Sequence, residues 1–197
     1  MTHLWYASYG SNLLAARFLT YLTGGPIPGS SNGRVQDGAR DPTPPSDDRR
    51  VEIDRTLLFA RSSPQWGGGG VAFLDPDQRP ATATRGRAWR ITLPQLADVY
   101  RQENGITEVV DIDLDRLLEI GHLDLVERWY GRLIHLGHLD GESLVTFTAA
   151  VRPDDTNRPH PRYLEVMASG LAESWDMDRR AADTYLASVP QAPRFGQ

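Results

Sequence analysis

The chain has 197 residues, of which 40% are hydrophobic, 24% charged and 9% aromatic, with a formal net charge of −5 at pH 7; one globular domain over 1–197 with a sizeable core is the expectation. Cysteine is absent, which excludes a disulfide scaffold, a cysteine nucleophile and cysteine-based metal centres and fits a cytoplasmic protein. All 21 basic residues are arginine, so neither a Schiff-base lysine nor a P-loop lysine is available. The negative balance argues against non-specific nucleic-acid binding. The opening MTHLWYASYGSN has no basic region and no long apolar run, so neither a secretion signal nor a membrane span is expected.

In chain order, His3 to Ser8 reads as a short strand that ends at Tyr9-Gly10-Ser11-Asn12, with a helix over Leu13 to Leu22 carrying Leu14, Phe18, Leu19 and Leu22 on one face. Ser11 or Asn12 can cap that helix. Gly24 to Arg50 is rich in Gly, Pro, Ser, Asp and Arg without periodicity, and predicts a long surface loop. Arg55 to Arg61, Gly70 to Leu74 and Arg85 to Thr92 are strand candidates, followed by a helix over Gln95 to Gln102. Within 106–127, Asp113 or Asp115 starts a short helix that stops at Gly121. Trp129 to Leu139 and Ser143 to Val151 form a hairpin around Asp140-Gly141, a pair suited to a type I′ turn. Helices over Pro161 to Ala172 and Asp176 to Ser188 close the chain. This order favours α+β over a doubly wound α/β fold.

Tyr9-Gly10-Ser11-Asn12-Leu13 places a glycine in a strand-to-helix turn, where the backbone can approach a ligand and helix N-terminal amides point outward. An ordinary capped turn fits the same letters. Glu103, at the end of a helix before Asn104-Gly105, suits a general base or acid held by the fold, or a solvated surface carboxylate. Trp66 with Gly67 to Gly70 is either a backbone cradle or a hairpin tip. His3, His122, His135, His138 and His160 show no metal-ligand spacing, and His135 and His138 fall on opposite faces of a regular strand; no metal is expected. Asp111, Asp113 and Asp115 lack the glycine and the glutamate of a calcium loop and read as helix caps. Ser11 has no nucleophile elbow around it and reads as a hydrogen-bonding residue.

Together these pieces resemble the γ-glutamylcyclotransferase family. Tyr9 to Leu13 match its Tyr-Gly-Ser-Asn-Leu signature letter for letter, and Trp66 to Ala72 match a Trp-x-Gly-Gly-hydrophobic-Ala segment with one extra glycine. Gly86 to Trp89, Gln102-Glu103, and Pro159 to Tyr163 followed by Gly170 continue the resemblance in order over most of the chain. The resemblance implies a small mixed β-barrel flanked by helices, and an intramolecular acyl transfer that turns a γ-glutamyl group into 5-oxoproline with release of an amine, without a cofactor. It implies Glu103 as the catalytic acid–base, with Tyr9, Gly10, Ser11, Asn12, Leu13 and Tyr163 lining a site for a small γ-glutamyl molecule. A non-catalytic carboxylate-binding protein on the same fold is the alternative. Two stretches depart from the shortest family members: 24–50, expected at the rim, and 106–127, which follows Glu103 and reads either as a cover for the pocket or as a structural addition. Asn104 intrudes between Glu103 and Gly105, which makes Glu108 the substitute base.

Overall fold

The computed structural model describes residues 2–30, 33–77 and 83–190. A six-stranded mixed sheet has the order β4 (Asp47–Ile53), β7 (Thr84–Thr92), β1 (His3–Ser8), β10 (Glu142–Thr148), β9 (Arg132–Leu139) and β8 (His122–Asp124). β1 runs parallel to β10 and antiparallel to β7. Two short strands, β2 (Gly25–Pro26) and β3 (Val35–Gln36), pair with each other, as do β5 (Leu57–Ser63) and β6 (Gly69–Leu74). The helices are α1 (Ala15–Thr23), α2 (Leu93–Asn104), α3 (Leu114–Ile120), α4 (Pro161–Trp175) and α5 (Arg179–Ser188). The fold is α+β, as expected.

β1 is apolar from Leu4 to Ala7 because both its faces are covered. Trp5 and Ala7 enter one core with Leu58, Phe73, Met167 and Leu171, while Leu4 and Tyr6 enter a second with Phe18, Tyr21, Leu96 and Tyr100. α2 begins at a capping box, in which the Thr92 hydroxyl accepts from the Gln95 amide and the Gln95 side chain accepts from the Thr92 amide. It ends at Gly105 in the left-handed conformation.

The sheet is open. β4 and β8 are its edges, and the β5–β6 hairpin forms a separate ladder, so backbone pairing does not close a barrel among the described residues. Side-chain hydroxyls take the place of a pairing strand along β6. Thr148 Oγ1 accepts from the Leu74 amide and donates to the Leu74 carbonyl, the Ala72 amide donates to Tyr163 Oη, and Tyr130 Oη donates to the Ala72 carbonyl. Each buried backbone group is satisfied without a further strand.

The stretch 24–50 is more ordered than composition indicates; positions 31 and 32 lie outside the described residues. It contributes β2, β3 and the first four residues of β4, whose Asp47-Asp48-Arg49-Arg50 pair with β7 at the sheet edge. An edge strand with one wet face carries charge without breaking its ladder, and this hides it from a hydrophobic-pattern reading. Its middle is tied down by Gln102 Oε1 accepting from the Gly38 amide at 3.2 Å and by Arg40 bonding Asp98 at 3.0–3.1 Å.

The segment 106–127 supplies α3 and β8. Asp113 caps α3 by accepting from the Arg116 amide at 2.9 Å, and Gly121 ends it. Ile112, Leu117 and Leu123 are buried in the second core. No helix among the described residues is long and apolar enough to cross a membrane.

Candidate active site

After β1 the chain makes a 3-10 turn over Ser11–Leu13 before α1 starts. Ser8 Oγ and Trp89 Nε1 both donate to the Asn12 carbonyl, at 3.0 and 3.1 Å, and Trp89 Nε1 also reaches Ser8 Oγ at 3.2 Å. The tryptophan of β7 therefore fixes the turn. Neither Ser11 nor Asn12 caps α1, contrary to expectation: α1 has no side-chain cap, and its Ala15 amide donates to Glu173 Oε2 of α4 at 3.0 Å. An acceptor from a distant helix frees Asn12 for another partner.

That partner is Glu103. Asn12 Nδ2 donates to Glu103 Oε1 at 2.8 Å, joining the turn to the last turn of α2. Both residues line a cavity of ≈ 400 Å³ together with Tyr6, Tyr9, Gly10, Ser11, Arg17, Arg34, Gln65, Trp66, Ala72, Trp129, Tyr130, Phe147 and Tyr163 among others. Of the residues assigned from sequence, Tyr9, Gly10, Ser11, Asn12, Glu103 and Tyr163 meet at this cavity. Leu13 does not: it is fully buried in the core beneath the turn, and its amide bonds the Gly10 carbonyl at 3.1 Å.

Close approach explains two of the glycines. A Cβ on Gly10 would lie 2.8 Å from Tyr163 Oη, so only glycine lets the tyrosine reach across the turn to the Ala72 amide. Gly170 sits inside α4 and does not end it; a Cβ there would lie 2.5 Å from the Leu13 backbone, so the helix packs directly onto the turn. The glycines after Trp66 make room for the chain before α4, since Cβ atoms on Gly69 and Gly70 would come within 2.4 Å of the His160 amide and 2.3 Å of the Asn157 carbonyl. They serve packing, and Trp66 is the residue of that run whose side chain stacks edge-on against Tyr163, at 5.0 Å between centroids.

Asn104, the residue that breaks the family pattern, is buried and points away from Glu103's partner. Its Nδ2 donates to the Tyr100 and Tyr130 carbonyls at 3.1 and 3.2 Å, and its Oδ1 accepts from the Tyr130 amide at 3.1 Å. It latches Tyr130 to the end of α2 and so sets one cavity wall. Gln102 does the same for α1, with Nε2 donating to the Tyr21 carbonyl at 2.8 Å. Glu108 is exposed and outside the cavity wall; amide and hydroxyl donors of its own turn hold its carboxyl below the usual range.

Burial raises Tyr6, Tyr9, Tyr130 and Tyr163 above the ordinary phenol range, and the Glu103 carboxylate pushes each further in the same direction. The phenols therefore stay protonated and act as hydrogen-bonding groups. Glu103 is the carboxylate among the described lining residues. Sequence reading missed Tyr6, Arg17, Trp129 and Tyr130; Arg17 falls on the helix face that periodicity marks as apolar, so its charge was the available signal.

The histidine pair departs from expectation. His135 and His138 face each other with centroids 5.1 Å apart, because a bulge at the Gly137–His135 step of β9 shifts the register against Leu144 and Val145. A bulge adds the residue that returns both rings to one face. Among the described residues no group of three His, Asp or Glu side chains could hold a metal ion.

No family model matches the chain. It is 31% identical, over 210 aligned positions and 96% of its length, to a protein named Histone deacetylase 5 from Arabidopsis thaliana, of which it spans about a third (31%). Among solved structures it resembles an uncharacterized protein from Homo sapiens (TM-score 0.52, 16% identity, 100% of this chain and 94% of that one) and a gamma-glutamyl cyclotransferase (0.51, 16%, 99% and 92%). YkqA from Bacillus subtilis is similar over 98% of this chain and 57% of its own (0.51, 13%). At these identities the likeness is one of fold: the chain is built as the gamma-glutamyl cyclotransferase structure is built.

Proposed function

We propose that the cavity cyclises a γ-glutamyl group to 5-oxoproline and releases the attached amine or amino acid. The observation that carries this reading is the 2.8 Å bond between Asn12 and Glu103, which joins the Tyr-Gly-Ser-Asn turn and a carboxylate in one small-molecule-sized cavity. In the reaction the substrate's α-amine attacks its own γ-carbonyl carbon. Glu103 accepts the amine proton as the C–N bond forms, the carbonyl oxygen becomes an oxyanion at the early amides of the turn, and the former amide C–N bond breaks as Glu103 returns the proton to the departing nitrogen. The nucleophile and electrophile belong to one molecule, so holding it folded supplies much of the rate. Tyr163 and Trp66 form the wall that favours this folded shape.

The test is 5-oxoproline release across γ-glutamyl amino acids, γ-glutamyl amines and glutathione. Release from any of them supports the reaction and names the leaving group. Tight binding of 5-oxoproline with no turnover across the panel would instead mark a carboxylate-binding protein.

A further inference from the structure

We infer that Arg17 is the receptor for the α-carboxylate of the substrate, a role that rests on reading the cavity as a γ-glutamyl site. Arg17 projects from α1 into the cavity wall and is only 3% exposed. A guanidinium taken out of water needs a counter-charge or a full set of acceptors. Here it has neither. Nη1 donates to Thr20 Oγ1 at 3.2 Å and Nη2 to Tyr21 Oη at 2.5 Å, while Nε is buried and meets no acceptor among the described residues. Two of its five N–H donors are thus committed, both to neutral hydroxyls, and it forms no ion pair with a carboxylate among the described residues. The Tyr21 ring lies under the guanidinium at 4.3 Å, which holds the fork in place.

The position of the opposite charge identifies the ligand. Tyr21 bonds Arg17 and lies within the field of Glu103, and Tyr163 feels both charges with opposite effect. Arg17, Arg34 and Glu103 all line this cavity, and of these two cations Arg17 is the buried one. An α-amino acid head group carries its amine and carboxylate on one carbon, so it presents both groups to such a pair at once. With the amine at Glu103, the carboxylate falls to Arg17, whose planar fork matches it with two parallel bonds.

The experiment compares 5-oxoproline with its carboxamide, 5-oxoprolinamide, by calorimetry on the wild-type protein and on Arg17→Gln, and compares a γ-glutamyl substrate with its α-carboxamide analogue by kcat/KM. The wild type is expected to prefer the acid about 10- to 100-fold, the span of a charge-assisted bond, and Arg17→Gln to lose that preference. A merely structural arginine would weaken both ligands alike, and a folded Arg17→Gln protein that still prefers the acid overturns the assignment. Where the variant does not fold, the Arg17 Nε–H resonance of the unmodified protein serves: it must shift with the acid and not with the amide. Turnover with an Arg17-independent preference sinks the receptor and leaves the reaction standing; Arg17-dependent binding without turnover does the reverse.

Discussion

In the proposed reaction a single carboxylate, Glu103, takes up a proton and gives it back, and substitution separates that task from its place in the fold. In Glu103→Gln the amide oxygen still accepts from Asn12 Nδ2, so the melting temperature should barely change while turnover falls about 10²–10⁴-fold. Near-normal 5-oxoproline release would transfer the role to another group. Tyr163 gives the contrasting case, since its hydroxyl is the acceptor for the buried Ala72 amide. Tyr163→Phe leaves that amide unsatisfied and should cost about 1–3 kcal/mol in denaturant unfolding. Preserved stability would mean that the hydroxyl faces ligand alone.

Among the elements, α4 and the 106–127 segment act on the site in different ways. α4 touches the signature turn through Gly170, and Gly170→Ala should push the helix off the turn, costing about 1–3 kcal/mol and lowering turnover together. Unchanged activity in a destabilised protein would show that the turn does not depend on this contact. The 106–127 segment contributes no residue to the cavity wall; Trp129 and Tyr130, just beyond it, do. Leu117→Ala, a core truncation on α3, should cost about 2–5 kcal/mol yet leave the relative rates on small and large γ-glutamyl substrates unchanged. Trp129→Ala should reorder those rates with a smaller loss of stability, because it is 38% exposed. The opposite pattern would make the segment a cover for the pocket.

Across the whole molecule, the strand that delivers the signature is held from both sides. β1 lies between β7 and β10, and Arg90 of β7 bonds Glu142 of β10 over it at 2.5 and 2.7 Å. Arg90 keeps the Glu142 carboxyl below its ordinary value of 4.5. The unfolded chain then takes up the proton first, so this contribution is complete above about pH 4.5 and is lost as pH falls through the lower native value. Solvent screening of this partly exposed pair keeps the contribution small. Melting temperature followed from pH 7 to 3 should be less acid-sensitive in Glu142→Gln than in the wild type, and identical slopes would mean that the pair contributes nothing.

What the amino-acid sequence determines by itself is local or periodic. The buried run of β1, the Asp140-Gly141 hairpin turn, in which both residues take positive φ, and the Asp113 cap with its Gly121 stop were legible because each rests on neighbouring residues, whereas the conjunction of the Tyr9–Asn12 turn with Glu103 was legible only through the resemblance to a known family. Tertiary structure decided the rest, where a residue's partner lies far along the chain. The first amide of α1 is satisfied by Glu173, a charged edge strand emerges from a loop-like composition through pairing with β7, and a bulge brings two histidines to one face. Arg17 belongs to the same group: its helix position reads as core, and only the packed cavity shows a buried cation beside a carboxylate's field. Burial and hydrogen-bond satisfaction are properties of the assembled chain, so a linear pattern names the candidates and the fold selects among them.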